Sequence, residues 1–386
     1  MFSLVFLTAL TTFSLASCAP NHSPPYVHPT SGNCIDLPLR ETVTSSNYVF
    51  GLPKFKSNFD VVGLLFDIAT SAVSSTPFVP FSGLENVTAT YEASATFCSP
   101  KTMKGKESTV LVATHGLGYD RRYWAPGYKE DEYSFAEYAL KQGYSVLYYD
   151  RLGTGKSQIL SGYVNQLSIQ TELLAKIVKS VRAGKYTGKI QAEKIILVGH
   201  SFGSSISNEL VATYPDLVEG AVLTGIGYDS GNSSTIAVPY IPSIFSNRIA
   251  SMQSSAFKHL DTGYLGFGDI YSHVETFFHK PDYAEDVAKY AQDIAQPLAI
   301  AEFLSLNTVQ PVAPEFKGKV LVTTGEFDII ICSGNCVKTF ASRYYKEIFP
   351  MADAEGYVHL GAGHGVNFNY NATGFYKVIG NFLDGF

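Results

Sequence analysis

Charge is scarce in this sequence. Asp, Glu, Lys and Arg make up 16% of it, against about 25% in an average soluble domain. The 28 basic and 34 acidic residues leave a net charge of -6, and no basic stripe gathers anywhere, so nucleic acid is not expected as a partner. There is no Gly-X-Y period, no sustained heptad and no series of long apolar runs, which excludes collagen, coiled coil and multi-span membrane protein. Internal repeats and low-complexity tracts are also missing. Cysteine is sparse, at five residues. The close pair Cys332 and Cys336 has no histidine at the local spacing of a zinc site. What the chain does have is apolar surface. Hydrophobic residues make up 46% of its 386 positions, and a chain of this size can bury about three quarters of its unfolded surface. Disorder is excluded on that ground. The length suits two or three domains, or one large domain with an insertion.

Met1–Ala19 is uncharged, apolar and hydroxyl-rich, has signal-peptide length, and runs into Pro20. It predicts a signal peptide over residues 1–19 and a secreted protein. Lipid attachment at Cys18 would need the basic n-region that the segment lacks, and no apolar tail suggests a GPI anchor, so no stable membrane anchor is expected. Without Cys18 an even number of cysteines remains, as an oxidising compartment favours. Cys332 and Cys336 are expected to close the short loop CSGNC, which leaves Cys34 to pair with Cys98. Sequons at Asn21, Asn86, Asn232 and Asn371 fit a secreted glycoprotein.

A Pro-rich stretch reaches to about Arg40, a helix is predicted over Asn58–Ser75, and Glu85–Phe97 reads as strand or hairpin. From there short apolar runs alternate with helical patterns. The runs begin at Thr109 (TVLVA), Ser145 (SVLYY), Lys194 (KIILV), Ala221 (AVLT), Val320 (VLVT) and Tyr357. Helices are predicted over Ser134–Gln142, Ser168–Arg182, Phe202–Thr213 and Thr373–Leu383. Continuous apolar strands between helices imply a mostly parallel, doubly wound sheet covered on both faces. The alternation lapses over about ninety aromatic-rich residues, too many for a structureless loop, so an inserted helical cap is expected there. The resulting division is a signal peptide at 1–19, an N-terminal arm at 20–84, a core at 85–225, the cap at 226–316 and the rest of the core at 317–386.

Gly199-His200-Ser201-Phe202-Gly203 follows the KIILV strand and opens a helix. G-x-S-x-G alone is modest evidence, but strand–turn–helix is the setting in which such a turn lifts a serine hydroxyl above a sheet. A serine nucleophile needs a base oriented by an acid. His364 lies in the glycine-lined loop GAGHG after the last strand, and Asp328 follows the VLVT strand, so both stand in the order serine, acid, histidine. Glu326 and Asp229 are alternative acids, and His359 is the rival histidine. Two backbone donors for a developing oxyanion are expected from the N–H groups of Phe202 and Leu117, the latter in the loop THGLG after TVLVA. His115 in that loop reads as structural. Gly153–Ser157 (GTGKS) lacks the earlier glycine of a phosphate-binding loop, with Asp150 in its place, and reads as a structural turn.

Taken in order, HG at His115, DRxGxGxS over Asp150–Ser157, the elbow at Ser201, GxxD ending at Asp328 and GxGHG around His364 resemble the α/β-hydrolase superfamily. The likeness spans roughly Glu85 to Phe386 and is nearest to secreted, fungal-type serine esterases and lipases with an inserted cap. It implies an α/β-hydrolase fold and a Ser201–His364–Asp328 triad acting through an acyl-enzyme. Ser201 stands where epoxide hydrolases and haloalkane dehalogenases carry aspartate. The expected partner is a small apolar ester-like substrate, with a carboxylic ester or lactone first. No cofactor and no metal are expected. A tailoring hydrolase or cyclase of a secondary metabolite is one alternative, and a catalytically silent binding protein on the same fold is another.

Overall fold

The apolar runs form the middle of one eight-stranded sheet. In the computed structural model, which describes residues 23–71, 74–75, 78–228 and 247–386, its strands are β1 (Gly32–Phe50), β2 (Phe81–Pro100), β3 (Thr109–Thr114), β4 (Ser145–Tyr149), β5 (Lys194–His200), β6 (Gly220–Thr224), β10 (Lys319–Gly325) and β11 (Asp353–His359). Their spatial order is β1-β2-β4-β3-β5-β6-β10-β11. β4, β3, β5, β6, β10 and β11 run parallel; β2 and β1 join antiparallel at one edge. The helices of eight or more described residues are α1 (Asn58–Thr70), α2 (Phe135–Gln142), α3 (Leu167–Arg182), α4 (Phe202–Thr213), α5 (Ile270–Phe277), α6 (Glu285–Asp293) and α7 (Ala372–Leu383).

Successive side chains of a strand face opposite ways, and β5 shows the consequence. Ile195 and Leu197 join the core formed with α3 and α4, including Leu173, Ile177, Ile206 and Leu210. Ile196 and Val198 join the opposite core with α2 and α7, including Phe135, Leu140, Phe375 and Ile379. Both faces are thus closed, and the strand ends are what remains open to a ligand.

Three stretches differ from the sequence-based expectations. The interval expected to be an arm contains β1, which pairs with β2 from Gly32↔Pro100 to Phe50↔Phe81. Pro38 lies within it, and a strand carrying proline is tolerated at a sheet edge, which is where β1 lies. The helix from Asn58 ends at Thr70, not Ser75. The 226–316 interval is not helical throughout: it contains β7 (Asn247–Ile249), β8 (Tyr264–Phe267) and β9 (Leu298–Ala299), a small antiparallel sheet in the order β7-β8-β9. Strands of two to four residues are too short for alternation to be read. The segment at 1–19, Cys18, Asn21, Asp229 and Asn232, with Tyr240 and Phe245 of the aromatic-rich interval, lie outside the described residues.

Before β1 the chain crosses the body. The Tyr26 hydroxyl donates to Asp120 Oδ2 at 2.9 Å, while its ring faces the cations of Arg121, Lys156 and Arg122 at 4.3, 4.4 and 4.6 Å. Both expected disulfides are present. Cys34 is bridged to Cys98, its direct partner in the β1–β2 ladder, and Cys332 to Cys336. No helix among the described residues is long and apolar enough to cross a membrane. Replacing Cys34 and Cys98 by alanine releases a cross-link spanning 64 residues of sequence. Stability should fall by about 2–4 kcal/mol, read as a lower denaturant midpoint; an unchanged midpoint would mean that the ladder alone fixes the edge.

Candidate active site

Four loops leave the carboxyl ends of β3, β5, β10 and β11 and bring the expected site residues to one end of the sheet. Ser201 stands between β5 and α4 with φ 53° and ψ -119°, a strained conformation for a residue with a side chain. The strain is held by hydrogen bonds. Ser201 N–H donates to Thr224 O at 2.8 Å, and Ser201 O accepts from Ser204 N at 2.8 Å and Ser205 N at 3.0 Å. The flanking glycines are steric requirements: a Cβ on Gly203 would lie 2.0 Å from Thr114 O, and one on Gly199 2.5 Å from Ser204 Cα.

Asp328 and His364 meet because their loops do. A Cβ on Gly325 would lie 2.2 Å from Gly363 O, so glycine is what allows the β10 and β11 loops to touch. Asp328 is fully buried. Its Oδ1 accepts from Ile330 N and Ile331 N at 2.9 and 3.0 Å; its Oδ2 accepts from Thr324 Oγ1 at 2.5 Å and from His364 Nδ1 at 2.6 Å. With Nδ1 donating, the lone pair of His364 sits on Nε2. That atom is buried and has no hydrogen-bond partner. No hydrogen bond joins it to Ser201 Oγ, but both residues line the same cavity. Glu326, the alternative acid, accepts instead from Gly361 N–H at 2.9 Å, and the rival His359 pairs with Tyr357 Oη at 3.3 Å.

His200, next to Ser201 in sequence, stacks on Tyr123 with centroids 4.3 Å apart and lies 4.9 Å from the His364 ring. Thr224 Oγ1 donates to Gly199 O at 2.8 Å and therefore accepts from His200 Nδ1 at 3.1 Å. Burial, reinforced by the neighbouring His364 and His115, pushes the His200 imidazole well below the ordinary histidine range. Burial and the Arg151 guanidinium do the same to His115. Both rings are neutral.

The β3 loop is braced by Arg151, which the sequence marks only as the second position of DRxGxGxS. Arg151 Nε donates to His115 O at 3.0 Å and Nη2 to Gly116 O at 3.2 Å, while its backbone N–H donates to His115 Nε2 at 3.0 Å. His115 Nδ1 is therefore the protonated nitrogen, and it too donates to Gly116 O, at 2.9 Å. A trans peptide directs its N–H opposite to its carbonyl, so fixing Gly116 O also fixes the direction of Leu117 N–H. Leu117 and Phe202 both line the cavity, and the Arg151 guanidinium lies 4.8 Å from the centre of the Phe202 ring. Arg151 pairs with Glu302, which lies in the segment between β6 and β10 and also accepts from Gln170 Nε2 at 3.0 Å. Burial raises the Glu302 carboxyl and the guanidinium opposes it. The GTGKS turn wraps Asp150, whose carboxylate accepts from Lys156 N and Arg121 N, each at 2.9 Å.

The cavity measures about 80 Å³, room for roughly five water-sized groups. Phe267, Phe277, Leu298, Phe303 and Leu306 from the β6–β10 segment form much of its apolar wall. Among the described residues no group of three or more His, Cys, Asp or Glu converges as metal ligands would.

The sequence pattern of the alpha/beta hydrolase family matches residues 110–375. The chain belongs to the alpha/beta hydrolase family. Solved structures agree on the hydrolase fold. A thermophilic esterase from Thermogutta terrifontis superposes with a TM-score of 0.52 at 17% identity, over 76% of this chain and 94% of that one. An esterase from Exiguobacterium antarcticum superposes at 0.54 and 15% identity, over 76% and 96%. No curated protein matches the sequence. Within this hydrolase the brace from Arg151 to Glu302 spans 151 positions, and no local pattern announces such a pair. Glu302→Leu would leave the Arg151 charge buried and unpaired, at about 3–5 kcal/mol of stability. Arg151→Met combined with Glu302→Leu should recover most of that loss in a denaturation midpoint; an additive loss would contradict the pairing.

Proposed function

We propose that this chain is a secreted serine hydrolase that cleaves a small carboxylic ester or lactone through an acyl-enzyme. The observation that carries the reading is His364, held by the buried Asp328 at 2.6 Å with its other nitrogen unpartnered in the cavity it shares with Ser201. In this mechanism His364 Nε2 takes the Ser201 proton as Oγ attacks the ester carbonyl. The N–H groups of Leu117 and Phe202 stabilise the oxyanion. His364 then protonates the leaving alkoxide. Water deprotonated by the same nitrogen attacks the acyl-enzyme, releases the acid and restores Ser201. Asp328 keeps the imidazole in the required tautomer and stabilises the imidazolium.

A small apolar substrate is supported by the cavity's size and aromatic wall. The segment between β6 and β10 acts as the cap that walls it. Secretion is supported by two disulfides and by the exposure of Asn86 and Asn371, the two sequon asparagines among the described residues. The structural neighbours named above are themselves esterases, at identities that establish the fold alone.

Short-chain esters test the reading. Ser201→Ala should reduce kcat by at least about 10⁴-fold, and Asp328→Asn by about 10⁴-fold through the wrong imidazole tautomer. Undiminished turnover in either variant would overturn it. The pH profile supplies a second check. Burial lowers His115 and His200, so neither takes up a proton where an ordinary histidine does. Acidification through the ordinary histidine range should therefore place no proton on His115 or His200, giving a limiting slope no steeper than about one in the logarithmic plot of kcat/KM. A slope of about two would contradict this assignment.

A further inference from the structure

We infer that the cavity holds a polar subsite at Asn247, which selects esters or lactones bearing a hydrogen-bond donor, a hydroxyl or an N–H, on an otherwise apolar skeleton. The inference rests on the hydrolase reading above and names its substrate class more closely.

Asn247 opens β7 and lies opposite Phe267 of β8 in the antiparallel register. Directly opposed residues share a face of their sheet, and both residues line the cavity that contains Ser201 and His364. Asn247 is only 2% exposed, yet its Oδ1 has no hydrogen-bond partner. The hydroxyls in the same wall do not serve it. Thr276 Oγ1 donates to Ser272 O at 2.7 Å, and Ser205 Oγ is directed to Ser201 O at 3.5 Å. Among the described residues the cavity lining is otherwise largely apolar, with Phe267, Phe277, Leu298 and Leu306.

Buried polar atoms in folded proteins are nearly all paired, and leucine would fill an apolar wall without an unmet acceptor. A carbonyl oxygen accepts and never donates, so the group that completes this site must bring a hydrogen. A hydroxyl or N–H on the bound substrate does so. A substrate without one displaces any water at Oδ1 and leaves the oxygen bare. Sites built on such a bond discriminate against the analogue lacking the donor more strongly than apolar pockets discriminate by size.

The test uses two matched series of ethyl esters followed by pH-stat: butanoate with 3-hydroxybutanoate and 3-methoxybutanoate, and hexanoate with 6-hydroxyhexanoate and 6-methoxyhexanoate. In at least one series the hydroxylated ester should exceed both the unsubstituted and the methoxy ester by about tenfold in kcat/KM. In Asn247→Leu the ratio should fall to about twofold or less, and in Asn247→Asp, which keeps an acceptor, it should persist. Equal rates within both series, methoxy esters matching hydroxy esters, or a preference that survives in Asn247→Leu would overturn the inference while leaving Ser201-dependent hydrolysis standing. The wild-type comparison decides even if a variant fails to fold. Absence of Ser201-dependent turnover of every ester would overturn both readings.

Discussion

The hydrogen bond from His364 Nδ1 to Asp328 Oδ2 forms between two loops that touch only because Gly325 carries no side chain. The loops leave β10 and β11, adjacent parallel strands in register from Lys319↔Asp353 to Gly325↔His359. Parallel pairing puts their carboxyl ends side by side, and two helical layers close the sheet faces. The position of the imidazole therefore follows from the sheet. So does that of Ser201, whose strand β5 reaches the same end and whose strained turn is tied to β6 through Thr224 O.

Several buried polar atoms around this bond are fully met, and a few are not. Asp328 accepts four hydrogen bonds, and the Gly116 carbonyl accepts from both Arg151 and His115. His364 Nε2 and Asn247 Oδ1 have no partner, and both belong to residues that line the cavity. These two unmet groups belong to the wall where a ligand would sit, and such local violations are ones that proteins retain for function and offset elsewhere. Here the offset lies in the rigid supports behind the site, chief among them the buried pair of Arg151 and Glu302.

The parallel core was legible in sequence because a strand covered on both faces must be apolar at every position, as KIILV and VLVT are. Ser201, Asp328 and His364 were legible because tight turns at strand ends demand glycine, and glycine stands at Gly199, Gly203, Gly325 and Gly363. β1 was hidden by Pro38 and by its mixed polar sequence, both tolerated where one side of the ladder faces no other strand. β7, β8 and β9 were too short to show a period. Arg151 and Glu302 meet across the fold, and Asn247 is marked only by an unmet acceptor in an apolar wall, which no spacing encodes.

The central claim is that Ser201 is an activated nucleophile, and covalent labelling of the purified protein with a fluorophosphonate tests it most directly. Intact mass and peptide mapping should show one adduct on Ser201, absent in Ser201→Ala and strongly suppressed in His364→Ala. Folded protein that takes up no label, or labels equally well without His364, would contradict the account and favour a hydrolase fold put to binding.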